Sequence, residues 1–91
     1  MIRVLFATAL VTASLFAQAG MKVDGLVKDP HGKSVADAQV RLFRQDTGAS
    51  VRTSSNAEGR FLFERLAAGV FLLQVDKENF QSATRSIELK S

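Results

Sequence analysis

Hydrophobic and polar residues alternate along much of this chain, most clearly between residues 56 and 75. Because side chains of a β-strand point to opposite faces in turn, Phe61 and Phe63 lie on one face of a predicted strand. Gly59 and Gly69 supply turns on either side of it. Three more apolar residues then return on the same side: Phe71, Leu73 and Val75. The stretch predicts two strands that pack one apolar face against a core.

The same alternation recurs on both sides of this stretch. Further strands are predicted at Met21–Lys28, at Gln39–Phe43, at a short edge strand Val51–Thr53, and from about Ser82 to Lys90. Turn residues separate these segments, for example Pro30 and Gly32 after the first one. No helical period is present between them. Short strands with turns about every 8–12 residues predict an all-β fold, a small antiparallel Greek-key β-sandwich of six to seven strands.

The N-terminal segment has a different pattern, because its apolar residues run together without alternation. Met1–Arg3 is a short positively charged start, and Val4–Phe16 is an apolar run of 13 residues. Ala17–Ala19 then forms a small-x-small cleavage site, so that Gly20 would become the first mature residue. This order is typical of a secretory signal peptide, and we predict a signal-peptide helix before the sandwich.

The predicted cleavage divides the chain into a signal peptide, residues 1–19, and one domain, residues 20–91. The protein is then expected to be exported to the periplasm, the outer-membrane surface or the extracellular space. It would meet the membrane only through the signal segment. Two alternatives stay open: a retained anchor, although the run is shorter than the roughly 20 residues that span a bilayer, and a true start at Met21. A lipoprotein is excluded because the chain has no cysteine to acylate.

Composition adds constraints on this domain. Its 72 residues bury only about 60% of the surface of the unfolded chain, and no cysteine is present to form a disulfide. Stability must therefore come from dense apolar packing or from a partner. Removing Arg3 from the 12 Lys and Arg leaves 11 against 9 Asp and Glu, a net charge of +2. The positive charges are spread singly, which argues against nucleic-acid binding.

Residues for catalysis or metal binding are scarce. The single histidine, His31, lies in a turn between Pro30 and Gly32, and no companion is spaced to form an acid–base pair or a metal site with it. Four oxygen-bearing residues that suit calcium are scattered over three turns: Asp29, Asp46, Asn56 and Glu58. We therefore predict a non-enzymatic protein with no cofactor and no metal.

Several motifs taken together resemble the carboxypeptidase regulatory-like domain. They are Gly25-Leu26-Val27-Lys28-Asp29, the run from Val35 to Leu42 with Ala38 and Val40, and the run from Thr53 to Gly69 with Gly59, Phe61, Phe63 and Leu66. Phe71, Leu73 and Val75 match the aromatic, Leu and Val that follow in the family. Asn79-Phe80 stands where the family often has Gly and an aromatic residue, and Asn also tolerates the left-handed conformation.

This resemblance implies a transthyretin-like sandwich, a module that follows metallocarboxypeptidase domains and precedes the plug of many TonB-dependent receptors. The expected function is an exported interaction or accessory module that binds a larger envelope or outer-membrane protein. The alternatives are a carbohydrate-binding module and an N-terminal fragment of such a receptor. Related sugar-binding sandwiches imply carbohydrate as a further candidate partner, although the chain has no Trp or Tyr to stack on a sugar.

Docking residues should lie on the outward positions of the predicted strands, because the inward aromatic rings form the core. Phe43 is the one phenylalanine of the mature domain that alternation places outward, where it either packs under a neighbouring loop or forms part of a docking patch. The charged residues Arg41, Arg60 and Glu64 share this outward orientation. These four residues are the predicted docking candidates.

Overall fold

The structure is a computed structural model, and it describes residues 3–4, 6–13 and 20–90. Nine strands lie in these ranges: β1 Arg3–Val4, β2 Phe6–Ala13, β3 Met21–Lys28, β4 Gln39–Arg44, β5 Ser50–Ser54, β6 Arg60–Leu66, β7 Gly69–Asp76, β8 Phe80–Gln81 and β9 Ala83–Leu89. Within the same ranges, no helix is long and apolar enough to cross a membrane.

Two antiparallel sheets form the body of the molecule. One has the strand order β2-β3-β6, the other has the order β5-β4-β7-β9, and β1 pairs with β8 over two residues in parallel. Hydrophobic residues from the inner faces of both sheets form one buried cluster. Strands β3 to β9 are the seven strands of the predicted domain, so the prediction of a small all-β sandwich is confirmed.

The connections cross between the sheets, so the strands that pair are mostly not consecutive. β3 pairs with β6 in one sheet, and β4 pairs with β7 in the other. β4 and β5 form a hairpin, β6 crosses to the opposite sheet, and β7 returns to lie beside β4. This is the order of a Greek key, in which the fourth strand comes back to the first.

The core lies between the two inner faces, and the strand alternation predicted from the sequence builds it. Phe61 and Phe63 are 3% and 5% exposed, with ring centroids 6.1 Å apart in an edge-on arrangement. Burying a ring of this size contributes about 2–3 kcal/mol. The remaining core residues are Met21, Val23, Val27, Val35, Ala38, Val40, Leu42, Phe71, Leu73, Val75, Ile87 and Leu89. Leu66 and Phe80 pack against them and are partly buried.

One buried hydroxyl fixes the connection from β3 to β4. Ser55 is 3% exposed and is the only buried polar residue among those that the structure describes. Its Oγ accepts a hydrogen bond from the Ala38 N–H at 3.0 Å and donates one to the Val35 carbonyl at 2.7 Å. Its backbone carbonyl accepts from the Asp37 N–H at 2.9 Å. Backbone groups that the crossing would otherwise leave unpaired thus find partners.

Asn79 confirms a turn prediction, whereas Arg65 was not foreseen. Asn79 has φ of 70°, the left-handed conformation expected where the family often has glycine. Arg65 has φ of 59°, and the register of β3 against β6 shifts between Met21 and Val23, opposite the segment that contains it. The left-handed residue therefore accompanies a β-bulge in β6.

The described part of the N-terminal segment differs from the predicted signal-peptide helix. Residues 6–13 are extended and pair with β3, and residues 3–4 form β1. The rest of the segment, at 1–2, 5 and 14–19, lies outside the described residues. An apolar run without alternation is compatible with a helix and with a strand, so the sequence pattern could not predict the extended conformation of residues 6–13. Recognition and cleavage by an export machinery stay a prediction.

Candidate functional site

The four docking candidates lie on two opposite outer faces of the sandwich. Arg41 and Phe43 lie on β4, in the four-stranded sheet, whereas Arg60 and Glu64 lie on β6, in the other sheet. All four alternate with buried core residues, so all four face outward as predicted. The structure therefore does not bring them together into one patch.

Asp76 anchors the polar part of the outer face of the four-stranded sheet. Its carboxylate lies 3.7 Å from Nη2 of Arg41 and accepts a hydrogen bond from Nε2 of Gln74 at 3.2 Å. The Ser82 hydroxyl donates to the other carboxylate oxygen. Because the Arg41 and Asp76 side chains are 42% and 33% exposed, the ion pair is worth at most about 1 kcal/mol. The pair places the Arg41 guanidinium beside the Asp76 carboxylate on this face.

Phe43 forms the apolar part of the same face, next to Arg41. The Arg41 guanidinium carbon lies 5.5 Å from the centre of the Phe43 ring, within cation–π range. Across the β4–β7 ladder, Phe43 is paired with Leu72, and Val70 follows two residues away on β7, 39% exposed. The half-buried ring thus belongs to an outward apolar row, which we call the Phe43 row: Phe43, Leu72 and Val70.

Sequence reasoning missed two members of the Phe43 row, although the signal was present. Phe71 and Leu73 are predicted to point inward, so alternation places Val70 and Leu72 outward. Only the first half of β7 is apolar at its outward positions, because Gln74 and Asp76 occupy the later ones. The row lies beside the charged pair of Arg41 and Asp76, so apolar and charged groups adjoin on this face.

Charged and apolar side chains are both exposed on the outer face of β6, in the three-stranded sheet. Arg60 and Glu64 are exposed on β6, with Leu62 between them at 45% exposure. Arg60 and Leu62 also line an open cleft of about 370 Å³ that reaches the end of β5 at Thr53. Within the described residues, neither Arg60 nor Glu64 takes part in an ion pair.

Arg44 has a structural role that the sequence did not indicate. Its guanidinium donates to the carbonyl of Ala68 at 2.6 Å and to that of Ala67 at 3.4 Å. It also lies 2.8 Å from the Asp46 carboxylate and 5.3 Å from the centre of the Phe71 ring. Arg44 thus holds the loop between β6 and β7 against the end of β4.

No catalytic or metal-binding arrangement emerges from the described residues. Among them, no group of three or more His, Asp or Glu side chains is placed to hold a metal ion. His31 is exposed at the tip of its turn, where its backbone N–H donates to the Asp29 carboxylate at 2.9 Å. Asn56 likewise uses its side-chain oxygen within its own turn. These groups therefore stabilise turns.

A comparison with protein families gives one match. The family model described as the carboxypeptidase regulatory-like domain matches residues 22–91. This span contains β4 to β9 and all of β3 except Met21. No curated protein and no solved structure matches the chain.

Proposed function

The chain belongs to the carboxypeptidase regulatory-like domain family, and from this membership we propose that it is an exported, non-enzymatic interaction module. The family is in general non-catalytic. In this proposal the domain binds a larger protein of the cell envelope through side chains on the outside of its sandwich. The pattern of residues 1–19 supports export, because a charged start, an apolar run and a small-x-small site occur in that order.

The Phe43 row is the observation that supports this role best. Aromatic and arginine side chains are enriched at protein interfaces and lysine and glutamate are depleted there, and Phe43 lies directly under Arg41. Leu72 and Val70 extend the apolar area on β7. The row is small, so we expect it to form the centre of a modest interface.

Carbohydrate binding has less support from the same face. Sugar-binding sites favour an open aromatic face beside polar groups. Here the guanidinium of Arg41 lies over the Phe43 ring, 5.5 Å from its centre, and beside the Asp76 carboxylate. The third possibility, an N-terminal fragment of a TonB-dependent receptor, would be supported by a plug domain encoded directly downstream.

Affinity capture with matched variants tests the proposal. The exported protein would be immobilised and exposed to native envelope extract, with Phe43→Asp as the test variant and Leu62→Asp as the control on the opposite face. We expect an envelope protein to be retained by the unmodified chain and by Leu62→Asp. Phe43→Asp should retain it at least about tenfold less, the loss typical of a central interface residue.

Two outcomes would contradict the proposal. Retention of no envelope protein would argue against an interaction module, and equal retention by both variants would argue against the Phe43 row as its surface. Circular dichroism and thermal melting of each variant must show a folded sandwich first. Retention of a glycan matrix by the unmodified chain would instead support the carbohydrate-binding alternative.

A further inference from the structure

The strand β3 is paired along both of its edges, and one of those partners comes from the predicted signal peptide. β6 pairs with one edge, and β2 pairs with the other in an antiparallel ladder of eight residues. That ladder runs from Phe6 opposite Lys28 to Ala13 opposite Met21. The edge of β3 therefore accepts a complete extended strand.

The backbone groups that face β2 can be identified from the bonds on the other side. Val27 donates its N–H to the Gly59 carbonyl at 2.7 Å, and its own carbonyl accepts from the Val35 N–H at 3.0 Å. Backbone groups of successive residues in a strand point to opposite edges. The residues whose N–H and C=O groups face β2 are thus Lys22, Asp24, Leu26 and Lys28.

The register also shows what kind of strand fits this edge. Four residues of β3 are buried on the inner face: Met21, Val23, Gly25 and Val27. The residues paired opposite them are Ala13, Val11, Ala9 and Ala7. Directly paired residues share a face of the sheet. An occupant of this edge therefore carries small apolar residues at every second position.

Cleavage after Ala19 would remove β2 and leave this edge without a partner. A row of unpaired N–H and C=O groups on an edge strand is a template for pairing with another chain. Peptides and partner proteins use such edges by adding a strand, with backbone bonds supplying affinity and alternate side chains supplying specificity.

We propose that the edge of β3 is a strand-acceptor site that opens when residues 1–19 are removed. Its occupant is an extended segment of the envelope partner, antiparallel to β3, with small apolar residues at alternate positions. This inference rests on the export and cleavage in the proposed function, and it adds a backbone-mediated contact that is separate from the Phe43 row.

Hydrogen exchange on the processed, exported protein tests the site. The probe is a synthetic peptide with the sequence of residues 6–13 and flanking lysines for solubility. In the processed protein alone, the four N–H groups that face the vacated edge should exchange rapidly, while those of Val23 and Val27 stay protected. The peptide should slow exchange at Lys22, Asp24, Leu26 and Lys28 by about tenfold or more.

Three peptide variants serve as controls on how the probe binds. Leu10→Pro removes an N–H opposite Asp24 and should abolish the protection, because proline cannot donate to the ladder. Ala9→Leu enlarges an inward position and should weaken binding, whereas Thr8→Leu places the same leucine side chain at an outward position and should not. Equal binding of the last two would contradict the predicted side-chain pattern.

Other outcomes separate this inference from the proposed function. Protection of the four amides in the processed protein at low concentration would show that another part of the chain covers the edge, and would overturn the site. Protection only at high concentration would make a second copy the occupant. A peptide without effect on exchange would also refute the acceptor site.

An intact Met1 on the exported protein would instead refute cleavage. Protection of the same amides in that uncleaved protein would show that β2 still occupies the edge of β3.

Discussion

Two turns of this protein contain the same hydrogen bonds but lie in different surroundings. In the first, Asp29 Oδ1 accepts from the N–H groups of His31 and Lys33, both at 2.9 Å. In the second, Asn56 Oδ1 accepts from Glu58 at 3.0 Å and from Arg60 at 2.9 Å. In each turn the backbone carbonyl of the first residue accepts from the N–H of the glycine at the fourth position, and the N–H of the first residue donates to the carbonyl of the fifth. Both glycines have positive φ.

The surroundings of the two glycines distinguish the turns. A Cβ placed on Gly32 would meet nothing within 4 Å, whereas one on Gly59 would lie 2.5 Å from the Val27 carbonyl oxygen and 3.3 Å from Cβ of Ser34. Gly59 therefore allows β6 to approach β3 closely, while Gly32 only reverses the chain. The same turn hydrogen bonds thus occur at Gly59, where two strands are in close contact, and at Gly32, where the turn has no close neighbours.

Gly59→Ala should have the largest effect among changes in the two turns. An L-residue in the left-handed region costs about 1–2 kcal/mol, and forcing a methyl group against backbone adds about 1–3 kcal/mol. We expect the free energy of unfolding to fall by about 3 kcal/mol, measured from the urea midpoint with unchanged slope. A loss of 1 kcal/mol or less would show that β6 moves away easily, and the contrast between the turns would disappear.

Asn56→Ala should have the next largest effect. It removes the acceptor for two N–H groups, and we expect a loss of about 1.5 kcal/mol in the free energy of unfolding. Asn56→Asp keeps the oxygen and serves as the control, with stability near that of the unmodified chain at neutral pH. If alanine and aspartate behave alike in urea unfolding, the side-chain bonds contribute little to this turn.

Gly32→Ala isolates the backbone cost without any clash. Its φ is 82°, so the substitution should lower the free energy of unfolding by about 1 kcal/mol. Thermal melting of Gly32→Ala and of Gly59→Ala gives the loss of stability in each variant. The difference between the two losses is the contribution of close packing at Gly59. Equal losses of stability from the two substitutions would mean that the close approach of Gly59 to the Val27 carbonyl does not affect stability.

The smallest expected change in stability depends on pH and involves only the turn that begins at Asp29. The Lys33 N–H, and after it the His31 N–H, hold the pKa of Asp29 below its ordinary value of 3.8. Because the folded pKa is the lower one, this carboxylate adds stability above pH 3.8, and that contribution is lost as pH falls through the folded pKa. NMR titration of Asp29 should show the lowered pKa, and Asp29→Asn should flatten the acid limb of stability. A pKa at or above 3.8 would contradict the hydrogen bonds.

The strands, the turns and most of the core could be predicted because their signals are local. Alternation identifies the buried face of β6 and β7, and Gly and Asn positions identify the turns. Alternation does not show which sheet a strand joins, so it could not reveal that Phe43 and Arg60 lie on opposite faces. The strand β2 and the role of Arg44 depend on distant partners, and no local pattern encodes those.

The buried hydroxyl of Ser55 has a consequence for the order of folding. Its bonds reach back 17 residues to Ala38 and 20 residues to Val35, so the β3–β4 crossing cannot reach its final path until the end of β5 has arrived. Contacts between residues far apart in sequence are slow to form, because the chain between them must first be ordered. Ser55 thus joins the end of β5 to the β3–β4 crossing, so we expect this crossing to reach its final path only after β5 has formed.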